Sequence, residues 1–310
     1  MTDPTPTSAG ASSTRTQFTF TDPTKLYADI DTPEQYQEGA GLDRDLVQKA
    51  DLGEESYRGS GRLTGRKALI TGGDSGIGAA TAIAFAREGA DVAISYLPEE
   101  QPDAERIAGL IREAGRTAVT IPGDIKELEF CRELVERSVA RLGGLDILVN
   151  NAGKQQNRPD LEDISDEQLD ETFRTNIYSM FRITKAALKH LPAGATIVNT
   201  TSIQAYSPSP NLLDYASTKG AINNFTKGLA ASLAPKGIRV NAVAPGPIWT
   251  PLQTAGGQPP EKLPTVGEGT GLGRWGQPAE LAPAFVFLAS PESSYVVGET
   301  LNVNGGMTTP

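Results

Sequence analysis

The sequence predicts an α/β fold in which helices cover both faces of one doubly wound parallel sheet. From Lys67 onward, short apolar runs rich in β-formers alternate with longer amphipathic runs, as they do in stacked βαβ units. Most of the short runs are continuously apolar, which is typical of strands that are buried on both faces. The chain has 310 residues, of which 38% are hydrophobic, so it can form one large core.

Seven short runs between residues 67 and 304 are candidate strands of this sheet. In chain order they are Lys67 to Thr71, Asp91 to Tyr96, Ala118 to Ile121, Asp146 to Asn150, Thr196 to Thr200, Arg239 to Ala244 and Leu301 to Asn304. Their length suits strands rather than helices. The chain shows no internal repeat, so the runs are expected to form one sheet.

Helices are predicted in the segments between these strands. Apolar residues recur at helical spacing over 173–188. Ser165 followed by Gln168 fits a capping box, which marks the start of a helix. Pro235 stops a helix that is predicted to begin near Ala216, because proline cannot continue a helix.

Composition and charge exclude several classes of function. The chain has 28 Lys and Arg against 38 Asp and Glu, and the resulting net charge of −10 at neutral pH argues against nucleic acid as a partner. One histidine (His190) and one cysteine (Cys131) cannot form a zinc site, a cysteine-histidine dyad or a disulfide. The sequence contains neither a run of about 18 apolar residues nor a secretion signal. We therefore expect a cytoplasmic protein that binds neither membranes nor metal.

Residues 1–60 are predicted to be an arm that precedes an α/β domain of residues 61–310. The arm carries 11 acidic and 5 basic side chains, a net charge of −6. Residues 1–13 have few bulky apolar side chains, so burial cannot offset the entropy lost on ordering, and disorder is expected. The aromatic residues that follow indicate an arm extended across a folded body, either that of its own chain or that of a neighbouring subunit, and a flexible linker is the alternative. These residues are Phe18, Phe20, Tyr27, Tyr36 and Tyr57.

A glycine-rich turn stands between the first candidate strand and a helical segment. Glycines at positions 72, 76 and 78 allow a sharp turn, close approach of the backbone to a pyrophosphate, and tight packing of helix against strand. The phosphates then lie at the helix N-terminus. Because the glycines occupy the strand-turn-helix context that this mechanism requires, the sequence predicts a Rossmann fold. The predicted cofactor contacts in this turn are Gly72, Asp74, Ser75, Gly76, Ile77 and Gly78.

The end of the second candidate strand bears on the choice of dinucleotide. In dinucleotide folds a carboxylate at this point accepts a hydrogen bond from the ribose 2′-hydroxyl of NAD. Here Ser95 and Tyr96 occupy the position. Without the carboxylate a 2′-phosphate is not repelled, and the Ser95 hydroxyl can donate to it, although no arginine or lysine lies beside it. These residues favour NADP slightly over NAD.

Tyr215 and Lys219 are candidates for acid-base chemistry. They lie four residues apart, hence about 40° apart around a helix, so both side chains can reach the same atom. A neighbouring cation stabilises a phenolate, so Lys219 is expected to lower the Tyr215 pKa from its reference value of about 10. Tyr215 is then suited to protonate an alkoxide. A surface pair without a catalytic role is the alternative.

Two further polar residues are predicted near this pair. Ser202 follows the fifth candidate strand at the carboxyl edge of the sheet, where open α/β folds bind ligands, and its hydroxyl can hold a substrate carbonyl. Asn176 shares a helical face with Phe173 and Met180, so it is expected to be buried, where an amide needs partners. It either connects Lys219 to solvent through a water or secures a neighbouring backbone group.

In order and spacing, these motifs resemble those of the short-chain dehydrogenase/reductases, over about residues 62–306. The motifs are the glycine turn of 72–78, Asn150-Asn151-Ala152-Gly153, Ser202, Tyr215 with Lys219, and Pro245-Gly246. The resemblance implies reversible hydride transfer between NAD or NADP and an aldehyde, ketone or sugar/polyol. The long arm and the glycine turn are similar to those of the glucose/ribitol dehydrogenase-like or aldehyde reductase-like subgroup.

The resemblance also implies roles for individual residues. The catalytic set is Asn176, Ser202, Tyr215 and Lys219. Tyr215 would be the acid/base, Lys219 would hold the nicotinamide ribose and lower the tyrosine pKa, and Ser202 would orient the substrate oxygen. Asn176 would support a proton relay. Further implied cofactor contacts are Ser95, Tyr96, Asp124, Ile125, Asn151, Ala152, Gly153, Tyr215, Lys219, Pro245, Gly246, Ile248 and Thr250, with pure strand support as the alternative for Asn151.

Assembly and access to the site can also be predicted. The resemblance implies a homotetramer, for which small side chains offer close helix packing at Ala186, Ala187, Ala221, Ala230 and Ala231. The segment 247–278 is rich in glycine and proline, carries Trp249 and Trp275 near its ends, and is predicted to be a mobile lid over the substrate.

Two other functions fit the sequence less well than that of an oxidoreductase. A dehydratase or epimerase on a related fold usually adds a larger substrate domain, for which the C-terminal region is too short. A non-catalytic, NADP-sensing regulatory protein would be free to lose Tyr215 or Lys219, and this chain retains both.

Overall fold

Parallel pairing of seven strands forms one sheet in the computed structural model, which describes residues 16–308. The strands are β1 (Lys67–Thr71), β2 (Asp91–Tyr96), β3 (Ala118–Pro122), β4 (Ile147–Asn150), β5 (Thr196–Thr200), β6 (Arg239–Pro245) and β7 (Thr300–Val303). Their order across the sheet is β3-β2-β1-β4-β5-β6-β7. This confirms the predicted doubly wound α/β fold, with β7 one residue earlier than expected and β4 starting one residue later.

Helices connect the strands and cover the sheet. They are α1 (Gly76–Arg87), α2 (Gln101–Glu113), α3 (Leu128–Leu142), α4 (Asp166–Phe173), α5 (Ser179–Ala187), α6 (Leu213–Leu233) and α7 (Pro278–Ala289). One π-helical turn, Arg174–Tyr178, joins α4 to α5. Within residues 16–308, no helix combines the length and apolar character needed to cross a membrane.

Two of the predicted helix starts need correction. Helix α6 begins at Leu213 rather than near Ala216. At the start of α4 the Ser165 hydroxyl accepts a hydrogen bond from the Gln168 amide at 3.2 Å, as predicted. The Gln168 side chain does not complete a capping box, because it donates instead to the carboxylate of Asp214, at 3.1 Å.

Two apolar cores lie on opposite faces of the sheet. Side chains of α1, α2 and α7 pack on one face, where Phe85 and Phe285 are fully buried. Side chains of α3, α5 and α6 pack on the other, around Leu134 and Ile183. Since β1 and β4 are neighbours in the sheet, the strand order reverses between them and a crevice opens at the carboxyl ends of the strands.

The described part of the arm packs on the body of its own chain. Leu46 joins Trp249, Leu263 and Trp275 in a separate buried cluster, and the Trp249 indole donates to the carbonyl of Gln48 at 2.8 Å. These contacts contradict the flexible-linker alternative for this part of the arm. The predicted disorder of residues 1–13 lies outside the described residues.

The arm's aromatic side chains divide into two groups. Tyr57 is buried and donates to Glu88, and the guanidinium of Arg274 lies 5.7 Å from the centre of the Tyr27 ring, so these two fit an arm packed on a folded body. Phe18, Phe20 and Tyr36 remain exposed on this chain.

The carboxylate of Glu88 joins the arm to the end of α1. Its side chain is fully buried and forms an ion pair with Arg62 at 2.6 Å. It also accepts hydrogen bonds from the Tyr57 hydroxyl at 2.7 Å and from the backbone amides of Ser60 and Arg62 at 2.8 and 3.0 Å. Burial acts to raise the pKa of Glu88, but the hydrogen bonds outweigh it and lower that pKa to about 2.

Candidate active site

A cavity of about 780 Å³ lies at the carboxyl ends of the strands and brings most of the predicted site residues together. The glycine turn borders it together with Ser95 and Tyr96, and Ser202, Tyr215 and Lys219 border it as well. The other predicted cofactor contacts that line it are Asp124, Ile125, Asn151, Ala152, Gly153, Pro245, Gly246, Ile248 and Thr250. Two predicted residues, Gly78 and Asn176, are not among those that line the cavity.

The glycine turn has the close packing that a dinucleotide site requires. A Cβ at Gly78 would lie 1.8 Å from the carbonyl oxygen of Gly72, so only glycine lets α1 approach β1 this closely. Gly76 has a φ of +48°, and its Cβ would lie 2.9 Å from Thr250. The turn therefore presents bare backbone to the cavity at the N-terminus of α1, and these residues fit the diphosphate of a dinucleotide.

The side chain of Asn151 holds the glycine turn in place through hydrogen bonds. Its side-chain amide donates to the carbonyls of Thr71 and Gly72 at 3.1 and 3.0 Å, and its side-chain oxygen accepts from the Thr200 hydroxyl at 3.3 Å. Asn151 therefore ties the end of β4 to the ends of β1 and β5. The strand-support alternative is observed in this structure, while the residue also lines the cavity.

Tyr215 and Lys219 lie together in the first turns of α6. The Lys219 Nζ atom is 5.2 Å from the centre of the Tyr215 ring and donates to the carbonyl of Thr200 at 2.9 Å. Both side chains are buried, yet both border the cavity. The surface-pair alternative is therefore wrong.

Burial shifts the proton affinities of this pair. It raises the pKa of Tyr215 to about 12, although a hydrogen bond with Ser202 acts to lower it. It lowers the pKa of Lys219 to about 8. The predicted fall in the tyrosine pKa is thus not seen in this structure, because removal of the phenolate from water outweighs the hydrogen bond with Ser202.

Ser202 and Asn176 support the pair in different ways. Ser202 follows β5 as predicted, and its hydroxyl accepts a hydrogen bond from the Gln204 amide at 3.1 Å. Asn176 is buried in the π-helical turn, a geometry frequent at functional sites. Its amide group donates to the Lys154 carbonyl at 2.9 Å and the Thr218 hydroxyl at 3.0 Å, and its oxygen accepts from the Lys154 amide at 2.7 Å. The backbone-securing alternative for Asn176 is the one observed.

Sequence reasoning missed the residue that fixes the start of α6. Asp214 is buried, and its carboxylate accepts from Gln168 at 3.1 Å, from the Thr172 hydroxyl at 2.9 Å and from the Tyr215 amide at 2.8 Å. The only signal was an acidic residue in the first turn of a helix. Two of its partners, Gln168 and Thr172, lie more than 40 positions away, so local pattern could not identify them.

The lid segment is anchored at its base rather than loose. Trp249 and Trp275 meet edge to face with ring centres 5.7 Å apart, and both are buried. Short helical turns at Gln253–Gly257, Pro260–Lys262 and Val266–Gly269 interrupt the predicted irregular loop.

Comparison with known proteins identifies the family. A sequence profile described as enoyl-(acyl carrier protein) reductase matches residues 72–308. YhxD, an oxidoreductase of Bacillus subtilis, is 58% identical over 94% of this chain and 98% of its own. The chain belongs to the short-chain dehydrogenase/reductase family. The family resemblance inferred from the motifs is therefore confirmed.

Two other members of the short-chain dehydrogenase/reductase family bear on the chemistry. NADPH-dependent aldehyde reductase 1 of Arabidopsis thaliana is 44% identical over 86% of this chain and 94% of its own. A short-chain dehydrogenase from Burkholderia cenocepacia, solved with NADP, is 35% identical with a TM-score of 0.74, over 79% of this chain and 98% of that one. The protein is a short-chain oxidoreductase that uses NAD(H) or NADP(H). Nothing in these comparisons supports the non-catalytic alternative.

Proposed function

We propose that the protein interconverts a carbonyl and an alcohol on a small polar substrate, an aldehyde, ketone or sugar/polyol, with Tyr215 as the acid/base. The observation that carries this proposal is the placement of Tyr215 and Lys219 on the wall of the cavity that the glycine turn also borders. When bound, the nicotinamide supplies or accepts the hydride. The protein provides position and a proton.

The proton-transfer roles follow from the contacts. At a pKa of about 12 Tyr215 holds its proton at neutral pH, so its hydroxyl donates to an oxygen that becomes negative. Lys219, at 5.2 Å from the ring, stabilises the phenolate that remains and is placed to hold the nicotinamide ribose. Ser202 orients the substrate oxygen. Asn176 is a positioning residue, since it secures the backbone at Lys154 behind the cavity.

The remaining cofactor contacts are assigned by their place along the cavity. Asp124 and Ile125 follow β3 and border the adenine, on the same side as Ser95 and Tyr96 at the end of β2. Ala152 and Gly153 border the central part. Around the nicotinamide we place Pro245, Gly246, Ile248 and Thr250. In this assignment residues 61–310 form the catalytic domain and residues 1–60 its arm.

The cavity lining favours a substrate that carries several hydroxyl groups. Five glutamines are among the residues that line it: Gln155, Gln156, Gln204, Gln253 and Gln258. The amides of Gln155 and Gln204 are already bonded, to Gly257 and to Ser209. The Gln253 side-chain oxygen is buried and accepts no hydrogen bond within residues 16–308. A buried polar atom without a partner is costly, and a substrate hydroxyl would satisfy it. Among the substrate classes proposed, a sugar or polyol fits this lining best.

The test is direct. Purified protein is titrated with NADH and with NADPH by fluorescence, and the cofactor that binds is then used in absorbance assays with a polyol panel and a matched panel of aliphatic alcohols. We expect binding of at least one cofactor, and oxidation of polyols with a higher kcat/KM than that of the aliphatic alcohols. Turnover confined to apolar alcohols would contradict the substrate class, and absence of any turnover would contradict the activity.

We also propose that the protein is a cytoplasmic homotetramer. Aromatic side chains on the π-helical turn, α5 and α6 support an interface between copies of the chain. The ring of the exposed Phe181 lies 4.3 Å from that of the half-buried Phe225, and Tyr178 is exposed on the π-helical turn. The predicted alanines contribute less than expected. Ala186, Ala187 and Ala230 are buried in the chain's own core, which leaves Ala221 and Ala231 exposed. Exposed Phe18 and Phe20 favour an arm that reaches a neighbouring subunit.

Replacement of Phe181 by aspartate tests the assembly. A charge buried in an apolar interface is costly, so we expect light scattering on a sizing column to show a fall from the tetramer mass to that of smaller species. Leu161→Ser, which removes an exposed apolar side chain away from α5 and α6, is the control and should leave the mass unchanged. A wild-type protein with the mass of one chain would contradict the proposal.

A further inference from the structure

Four carboxyl groups from four separate segments gather beside the glycine turn. Asp43 belongs to the arm, Asp74 to the glycine turn, Glu100 to the short helix Pro98–Glu100 after β2, and Asp103 to α2. All four are buried in this chain. Asp74 and Glu100 also line the cavity, together with Ser95 and Tyr96 at the end of β2. The cluster therefore borders the region where the ribose of the adenosine is expected.

Three of these carboxylates are engaged by backbone amides. Asp43 accepts from the Gly76 amide at 3.1 Å, Asp103 from the Asp43 amide at 2.7 Å, and Glu100 from the Leu97 amide at 2.6 Å. Each of these bonds holds the arm or the loop after β2 in place. These three carboxylates therefore already have hydrogen-bond partners within the protein.

Asp74 differs from the other three. Only 1% of it is exposed, and within residues 16–308 neither carboxylate oxygen makes a hydrogen bond of normal geometry; the Ser75 hydroxyl and the Asp74 amide lie near the carboxylate and act to lower its pKa without forming one. The Ser95 hydroxyl, also facing this region, is likewise without a partner there. Burial, followed by repulsion from Glu100, raises the pKa of Asp74 well above its usual range. Two unpartnered buried polar groups on a cavity wall indicate that a ligand supplies the missing partners.

Within residues 16–308, the basic side chains near this end of the cavity already pair with carboxylates. Arg106 lies 3.7 Å from Asp43 and 3.4 Å from Glu54, so it is paired already. No arginine is among the residues that line the described cavity. Its lysines are Lys126, paired with Asp124 and Glu171, Lys154, paired with Glu171, and Lys219, beside Tyr215.

We propose that Asp74 makes the protein selective for NAD(H) over NADP(H). The carboxylate accepts a hydrogen bond from the ribose 2′-hydroxyl and so performs, from the glycine turn, the function of the acid that is missing after β2. A 2′-phosphate would instead face Asp74 and Glu100 without a cation. The slight preference for NADP expected from Ser95 and Tyr96 is reversed by this carboxylate. The inference rests on the proposed function.

The experiment compares affinities for NADH and NADPH in the full-length protein. Fluorescence titrations are run at pH 8.5, above the pKa of about 7 that burial gives Glu100, so that this carboxylate opposes a 2′-phosphate even when Asp74, whose pKa is raised well above its usual range, keeps its proton. Since like charges in contact cost several kcal/mol, we expect wild type to bind NADH about 100-fold more tightly than NADPH. In Asp74→Asn and Asp74→Ser the preference should fall by at least about 10-fold, mainly through tighter NADPH binding. Glu105→Gln, which removes an exposed charge from α2, is the control and should keep the wild-type ratio.

The outcomes separate this inference from the proposed function. Equal affinities in wild type, or a preference for NADPH, would overturn the inference alone. So would an equal change in both affinities in the two Asp74 variants, because that would indicate general damage to the site. Failure of wild type to bind either cofactor would overturn the proposed function and the inference together. Thermal unfolding of each variant checks that it is folded. Two different replacements of Asp74 are used so that the test can still be made if one variant does not fold.

Discussion

Replacement of Tyr215 by phenylalanine is expected to lower kcat by about 10²–10⁴-fold, the usual contribution of a positioned proton donor. The ring would keep its place in α6 and its contact with Lys219, while the one group that transfers the proton would be lost. The affinity for the nicotinamide cofactor should change little, because the glycine turn and Lys219 are intact. Steady-state rates with the best substrate of the polyol panel and a fluorescence titration measure the two quantities.

Tyr206→Phe is the matched control for this experiment. Tyr206 follows β5 by a few residues but does not line the cavity, so loss of its hydroxyl should leave kcat within about twofold. A Tyr215→Phe enzyme that turns over at the wild-type rate would exclude Tyr215 as the acid/base. A variant that loses cofactor binding in proportion to kcat would indicate that the tyrosine acts in binding rather than in proton transfer.

Replacement of Glu88 by alanine is expected to lower the free energy of unfolding by about 3–5 kcal/mol. The change would leave the Tyr57 hydroxyl and the backbone amides of Ser60 and Arg62 without their acceptor, while the Arg62 guanidinium, a quarter exposed, keeps Glu292 at 3.6 Å and the Tyr57 hydroxyl. A buried donor left without an acceptor costs about 1–3 kcal/mol, and together these donors account for the expected loss. Denaturant unfolding of wild type and variant measures it, and Glu129→Ala, which removes one partner of an exposed ion pair, should cost less than about 1 kcal/mol.

The pH dependence gives this prediction a second test. The pKa of Glu88 falls from 4.5 in the unfolded chain to about 2 in the folded one, so its contribution is present in full above 4.5 and is lost as the pH falls toward 2. Glu88→Ala should lack this part of the acid transition. Equal stability of the variant and wild type at neutral pH would show that the arm does not depend on the Glu88 network.

Local pattern was sufficient to predict the framework of the fold and the catalytic pair. Strands that are buried on both faces have continuous apolar sequences. The predicted ends of β1 to β7 therefore lie within one residue of the observed ends. Four-residue spacing on a helix is a geometric constant, so Tyr215 and Lys219 were expected on one face of α6 and are found there. The spacing also reveals Gly78, because its close contact is with the Gly72 carbonyl of the same turn, whereas Gly72 and Gly76 leave room for Ala152 and Thr250 from other parts of the chain.

Only the tertiary structure decided how distant segments complete the site. The docking of Asp43 on the Gly76 amide, the partners of Asn176 and the gathering of four carboxyl groups all join residues far apart in the chain. Periodicity describes neighbours along one element and carries no record of such contacts. The Tyr215 pKa shows the same limit. Spacing from Lys219 predicted a fall, whereas burial, which depends on everything packed around α6, raised it to about 12.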